Sequence, residues 1–137
     1  MFDFNKKEID LPIEKINRIY VIDIQAIGYV RRTRADKWKK RPIVMKYYHY
    51  KNLLSFLLNR MNYKQEKELN ILFLLPIPQS LSSKKREELH LTQHNKKPDL
   101  DNLVKAFLDT ATKQDNYISK VNAVKLYSLY PKIIIFQ

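Results

Sequence analysis

The stretch Lys96-Lys97-Pro98-Asp99-Leu100-Asp101-Asn102-Leu103-Val104-Lys105-Ala106-Phe107-Leu108-Asp109 sets carboxylates at the mouth of a predicted helix within a strongly basic chain. Pro98 favours an extended residue before it and suits a helix entry, and Asp99 has the side chain of a good N-cap. Leu100, Leu103, Val104, Phe107, Leu108 and Ala111 recur at helical spacing and predict a buried face. Asp101, Lys105 and Asp109 recur every four residues on the other side, with Asp99 just ahead of them. Two chemistries fit these residues. In the ordinary one, Asp99 is only a cap, Asp101 answers the helix dipole, and Asp101 with Lys105 is a surface ion pair. In the other, the carboxylates are hard oxygen ligands for Mg²⁺, which keeps several waters and bridges one or two carboxylates to phosphate oxygens.

Composition favours the second. Lys and Arg number 26 against 14 acidic residues, a formal charge of +12 on 137 residues. Such an excess points to a polyanionic partner, with nucleic acid as the default. A knot of carboxylates in such a protein repels the backbone it must approach unless cations lie between them, and a nuclease site follows. There is no cysteine, which excludes a thiolate nucleophile, a disulfide framework and a zinc ribbon, and fits a reducing cytoplasm. Gly28 is the single glycine, so Walker or dinucleotide phosphate loops are excluded too. No apolar run has the length of a membrane span, and Met1-Phe2-Asp3-Phe4-Asn5-Lys6-Lys7-Glu8 lacks a signal-peptide core, so the expectation is a cytoplasmic protein with no membrane partner. The length predicts one domain, small for enclosing a DNA duplex unaided, which makes a homodimer reasonable.

The elements that must position these groups are legible in outline. Residues 1–17 have no firm period and read as a lead-in, a short strand or an arm. Arg18 to Val30 is rich in β-branched and aromatic residues, and its alternation predicts a long strand with Tyr20, Ile22, Ile24 and Ala26 on one face, bent at Gly28. Arg31, Arg32, Arg34, Lys37, Lys39, Lys40 and Arg41 then surround Trp38, a loop suited to phosphate contact and stacking. A helix is predicted from Met45 to Met61, its core stripe Tyr47, Tyr50, Leu53, Leu54, Leu57, Leu58 and Met61. Leu69 to Leu75 is continuously apolar and reads as a central strand. The connection from Gln79 to Lys97 is long and polar, with a short helix at Ser82 to Glu88 and further cations at Lys84, Lys85, Arg86, Lys96 and Lys97. His90 and His94 stand four apart, a spacing used for metals on helices, but no Glu accompanies them. After a polar turn over Thr110 to Asn116, Ile118 to Leu129 reads as a strand, Tyr130-Pro131 as a hairpin turn, and Lys132 to Phe136 as a last strand. The order predicts an α+β or mixed α/β domain, a mixed sheet with two main helices.

The segment Pro98 to Asp109 is similar to the Lys/Arg-Pro-Asp-x-Asp-Asn-Leu-x-Lys-x-x-x-Asp signature of the RusA-type Holliday-junction resolvases. Pro76-Ile77-Pro78-Gln79-Ser80-Leu81-Ser82-Ser83-Lys84-Lys85-Arg86 resembles the stretch that leads into it. Family members follow the helix with Asp-Asp-x-x-Ile. Here Gln114-Asp115-Asn116-Tyr117-Ile118 keeps the second aspartate as Asp115 but has Gln114 for the first, and the interval from Asp109 is shorter and lacks a glycine turn. Lys125 falls ten residues after Asp115, where the family usually carries a basic residue. The resemblance covers roughly residues 18–137. It implies a homodimeric, Mg²⁺-dependent endonuclease of bacterial or prophage origin that cuts four-way DNA junctions by paired nicks in recombination and repair. Asp99, Asp101 and Asp115 would hold the metal, and Lys105 would be a catalytic lysine, with Asp109 either orienting it or forming a plain surface pair. Two other functions fit the same residues: a non-catalytic module binding branched nucleic acid, motivated by Gln114 and the short turn, and a metal-dependent nuclease acting on flaps or other branched DNA.

Overall fold

A strand that is apolar at nearly every position can lie only where both of its faces and both of its edges are covered. In the computed structural model, which describes residues 17–137 and of Asp115 the backbone alone, β2 (Glu68–Pro76) meets that condition. It is buried from Leu69 to Leu75 and is flanked on one side by β4 (Lys132–Phe136), antiparallel, and on the other by β3 (Lys120–Ser128), parallel. β1 (Ile19–Ile22) adds antiparallel to the far edge of β4, so the sheet runs β1-β4-β2-β3. The domain is α+β with a mixed four-stranded sheet, as its sequence predicts.

Two departures follow from the same competition for β2. The expected hairpin at Tyr130-Pro131 does not form: β3 and β4 are not neighbours, because β2 lies between them. The turn instead passes over the end of β2, with the Leu129 N–H donating to His90 Nδ1 at 3.0 Å and the Tyr130 N–H to Ser128 Oγ at 2.9 Å. The strand expected from Arg18 to Val30 stops at Ile22, which pairs with Ile133. Its partner strand ends one residue further on, at Lys132 next to Pro131, and proline has no N–H to continue a ladder. The burial alternation nevertheless continues through Ile24 and Ala26, so the predicted face is correct although the ladder is short. The lead-in expected over residues 1–17 lies outside the described residues except for Asn17.

α1 (Pro42–Arg60) begins a turn earlier than predicted, because Pro42 sits at its first position, where its missing N–H costs nothing. Val44, Tyr47, Tyr50, Leu54 and Leu58 are its buried residues, whereas Leu53 is 40% exposed and leaves the predicted stripe. α2 (Ser83–Leu89) is capped by Ser82, whose hydroxyl accepts from the Lys85 N–H at 3.3 Å. α3 (Leu100–Ala111) buries Leu103, Ala106 and Phe107. Burying side chains of this size stabilises by about 1.5–3 kcal/mol for each large one. α1 and α3 cover one face of the sheet, over Leu69, Ile71, Phe73, Leu75, Ile133 and Ile135. The other face carries a smaller cluster, Leu72, Leu74, Leu126, Ile134 and Phe136, against which Leu91 and Val124 pack. No helix among the described residues is long and apolar enough to cross a membrane.

Candidate active site on helix α3

The backbone of Asp99 occupies the N-cap position of α3, and its carbonyl accepts the Leu103 N–H at 3.1 Å. Its carboxylate does not cap: it accepts no hydrogen bond from the first turn, and among the described residues it forms no ion pair. Asp101 is exposed in the first turn and accepts from its neighbour, the Asn102 N–H, at 2.9 Å. Nor does it pair with Lys105. That ammonium lies 3.8 Å from Asp109 Oδ1 and 4.8 Å from the centre of the Tyr29 ring. The cap and the i,i+4 pair of the ordinary explanation are therefore not formed, while Asp101 keeps the first-turn place that answers the helix dipole. Two exposed acidic groups thus stand at the positive end of a helix without an ion pair among the described residues, in a chain with a large excess of cations.

Two open grooves flank the N-terminal half of α3. Asp101, Lys105 and Asp109 line the first, of about 690 Å³, whose opposite wall is Val121 and Ala123 of β3. Asp99 and Asn102 line the second with Lys46, Lys97, Pro98 and the segment Gln25 to Val30. Tyr29 belongs to the second groove and reaches Lys105 of the first, so the two meet across this pair. The Tyr29 N–H donates to the Asn102 carbonyl at 3.0 Å and ties the segment to α3. Tyr29 also packs edge-on against Tyr47, at 5.9 Å between ring centres. Burial, and then the charge of Asp109, push the Tyr47 phenol up to about 12.

Close approach of this segment to the helix entry depends on the single glycine. A Cβ at Gly28 would lie 2.9 Å from Pro98 Cβ, closer than non-bonded carbons pack, so one of the two would have to shift. The glycine gives room for Pro98 and so for Asp99. On the other side, Lys125 of β3 extends toward the same loop and donates to the carbonyls of Lys96 at 2.6 Å and Pro98 at 2.8 Å.

The basic residues divide by accessibility. Arg31, Arg32, Arg34, Lys37, Lys39 and Lys40 are exposed on a loop that contains a short 3-10 turn, Arg34–Lys37, with Trp38 78% exposed after it. The loop leaves from Val30 and returns at the start of α1, and both Val30 and Ile43 line the groove of Asp99. Arg41 is not free for phosphate: its guanidinium grips Asp36, with Nη2 2.8 Å from Oδ2, and holds that carboxyl well below the usual carboxylate range. Arg32 lies over the Tyr48 ring at 5.8 Å. Lys84, Lys85, Lys96 and Lys97 are exposed, while Arg86 is half-buried, its Nε buried and without a hydrogen-bond partner among the described residues.

His90 and His94 do not share a helix. α2 ends at Leu89, His90 accepts from the turn before β4, and the His94 ring is buried against Tyr127, 4.4 Å between centres. Asp115 lies in a 3-10 turn, Asp115–Tyr117, between α3 and β3, and its side chain is outside the description. Among the described residues no group of three or more His, Asp or Glu side chains gathers at metal-binding distance. The residues that sequence reasoning missed are Tyr29 and Asn102. The signal that could have found them is the lone glycine beside an aromatic, since a glycine that bends a strand also marks a close approach.

Exposed carboxylates that form no ion pair among the described residues are hard oxygen donors of the kind Mg²⁺ takes, so Asp99 and Asp101 fit that ion by chemistry, while they line different grooves. Neither the comparison with curated proteins nor that with solved structures finds a match. A family model does: the one described as Endodeoxyribonuclease RusA matches residues 24–136, from just beyond β1 to the end of β4. Nearly the whole chain, with the aspartate-bearing entry of α3 inside the matched span, thus belongs to the RusA endodeoxyribonuclease family.

Proposed function

We propose that this protein is a Mg²⁺-dependent, structure-specific endodeoxyribonuclease that resolves four-way DNA junctions by paired nicks, as a step in recombination and repair. The observation that carries this reading is that, among the described residues, the Asp99 carboxylate caps nothing and neither Asp99 nor Asp101 forms an ion pair, at the tip of α3 in a chain of charge +12. Asp99, Asp101 and Asp115 are the proposed metal ligands. Mg²⁺ held there would supply an activated water and positive charge for the phosphate under attack. Lys105, held between the Tyr29 ring and Asp109, is the group proposed to offset charge on the pentavalent phosphorus or the departing oxygen. The exposed cations from Arg31 to Lys40, with Lys84, Lys85, Lys96 and Lys97, are proposed to grip the backbones of the junction arms.

Paired nicks need two such sites, and the proposal includes a homodimer. On the outward side of α1, Met45, Tyr48, Asn52, Phe56 and Asn59 form an exposed stripe at helical spacing without a formal charge. Two copies that each carry +12 repel one another wherever lysines face, so an uncharged apolar stripe is the surface on which they can meet.

Incubation with a synthetic four-way junction in Mg²⁺ is the test. Wild type is expected to nick strands in symmetric pairs, and Asp101→Asn to lose at least about 100-fold in rate, comparable to removing one oxyanion-hole donor elsewhere, while still binding the junction. Equal cleavage by both would discard the site. Salt-sensitive binding with no cleavage in any divalent metal would leave a binding module, and preference for a flap over a junction would reassign the substrate.

A further inference from the structure

We infer that Lys125 is a positioning residue for the candidate metal site: its ammonium straps the segment Lys96–Pro98 and thereby sets where the Asp99 carboxylate stands. The inference rests on the proposed metal-dependent reading of that site.

Lys125 occupies the middle of β3, in register with Phe73 of the central strand, which is fully buried. Its own backbone is thus fixed by the ladder to β2 on one side and by the His94 N–H on the other. From there the side chain donates to two carbonyls that bracket Lys97, at 2.6 Å to Lys96 and 2.8 Å to Pro98. An ammonium has three donors, and two are committed. No carboxylate pairs with it among the described residues, so this half-buried cation has carbonyls as its polar partners. A lysine meant for phosphate would be exposed, as Lys96 and Lys97 are.

The strap has a second anchor on the same residue. The His94 N–H donates to the Lys125 carbonyl at 3.2 Å, and the His94 ring is packed on Tyr127 two residues further along the strand. Residues 94–98 are therefore tied to Lys125 at both ends, through its backbone at His94 and its side chain at Pro98. The Pro98 carbonyl belongs to the peptide group whose N–H is that of Asp99. Fixing this peptide plane leaves only φ, χ1 and χ2 of Asp99 between the plane and the carboxylate, and Gly28 closes the other side of Pro98. Orientation of a ligand from behind is ordinarily worth 10–100-fold in metal affinity.

Lys125→Met removes the donors and keeps the length and bulk of the chain. Three measurements on the full-length protein decide the matter: amide hydrogen exchange over residues 96–102, Mn²⁺ uptake followed by the loss of its free-ion resonance signal, and junction affinity in EDTA. The variant is expected to exchange faster over 96–102, to bind Mn²⁺ about tenfold more weakly, and to bind the junction in EDTA as wild type does. Wild-type exchange and wild-type Mn²⁺ affinity in the variant would overturn the inference. If Lys125→Met melts below the assay temperature, Lys125→Gln, whose shorter side chain reaches one carbonyl at most, is put through the same measurements with the same criteria. A wild-type protein that takes up no Mn²⁺ would sink the metal-site reading instead, and the exchange data would then decide the strap by themselves.

Discussion

At the scale of single residues, the informative groups are those whose partners differ from the ones their spacing offers. Asp101 and Lys105 stand at the ideal interval for a helical ion pair, yet Lys105 turns to Asp109 and the face of Tyr29. Exposed pairs of this kind are worth only a few tenths of a kcal/mol, so a nearby aromatic face and a second carboxylate can redirect one. His94 is informative in another way. Burial first, and the Lys125 ammonium second, hold its imidazole below its ordinary value. The folded protein therefore prefers the neutral ring, while the unfolded chain takes up a proton near the usual value of about 6.5. Below that pH the unfolded state binds more protons, so stability falls as the solution is acidified. Thermal melting of wild type should drop between pH 8 and pH 5.5, and His94→Gln should drop less over the same range. Parallel curves would show that the buried imidazole is not responsible.

Helix α3 is a working element only because three others converge on its entry. The extended segment after β1 lies against it through the Tyr29 N–H to the Asn102 carbonyl, β3 reaches it through Lys125, and α1 packs beside it. Gly28 is the point of closest approach. Its φ is not in the left-handed region, so the demand on it is steric rather than conformational. Gly28→Ala would place a methyl 2.9 Å from a ring carbon of Pro98, which has no flexible end to swing away. The expected result is a loss of about 1–3 kcal/mol in chemical denaturation, typical of overpacking, together with weaker Mn²⁺ binding as Asp99 moves with the proline. An unchanged denaturation midpoint would mean that the segment shifts freely and that the entry of α3 is not braced from this side.

Across the described residues, the densest run of charge and the largest exposed apolar stripe lie on different elements, with Arg32 reaching over Tyr48 where they meet. Cations crowd the loop from Arg31 to Lys40 at the rim of the Asp99 groove, while the outward side of α1 carries uncharged residues, among them Phe56 at 59% exposure. This arrangement suits a protein that meets a polyanion with one surface and its own copy with another. Phe56→Glu places a charge in the centre of the apolar stripe. Sedimentation should show wild type as a dimer and the variant as a monomer with an unchanged melting temperature, because Phe56 packs against little of its own chain. A variant that still sediments as a dimer would move the interface elsewhere.

Local signals carried the elements a long way. The stripe from Leu100 to Ala111, the short helix near Ser82, the continuous apolar run of β2 and the alternation from Tyr20 to Ala26 each depend on neighbours a few residues apart, and each was legible in the chain. So was the aspartate-bearing entry of α3, because a carboxylate pair within so basic a composition is anomalous without any structure. What the sequence could not determine was which of several available partners each group takes. β4 leaves β3 for the far edge of β2 because the central strand offers two edges and pairs with both. The Lys125 ammonium meets the carbonyls of Lys96 and Pro98, and Gly28 meets Pro98, across contacts between residues far apart in the chain. Such choices are settled by competition among surfaces that exist only once the sheet and its helices have come together, and for that reason the setting of Asp99 belongs to the tertiary structure while its presence belongs to the sequence.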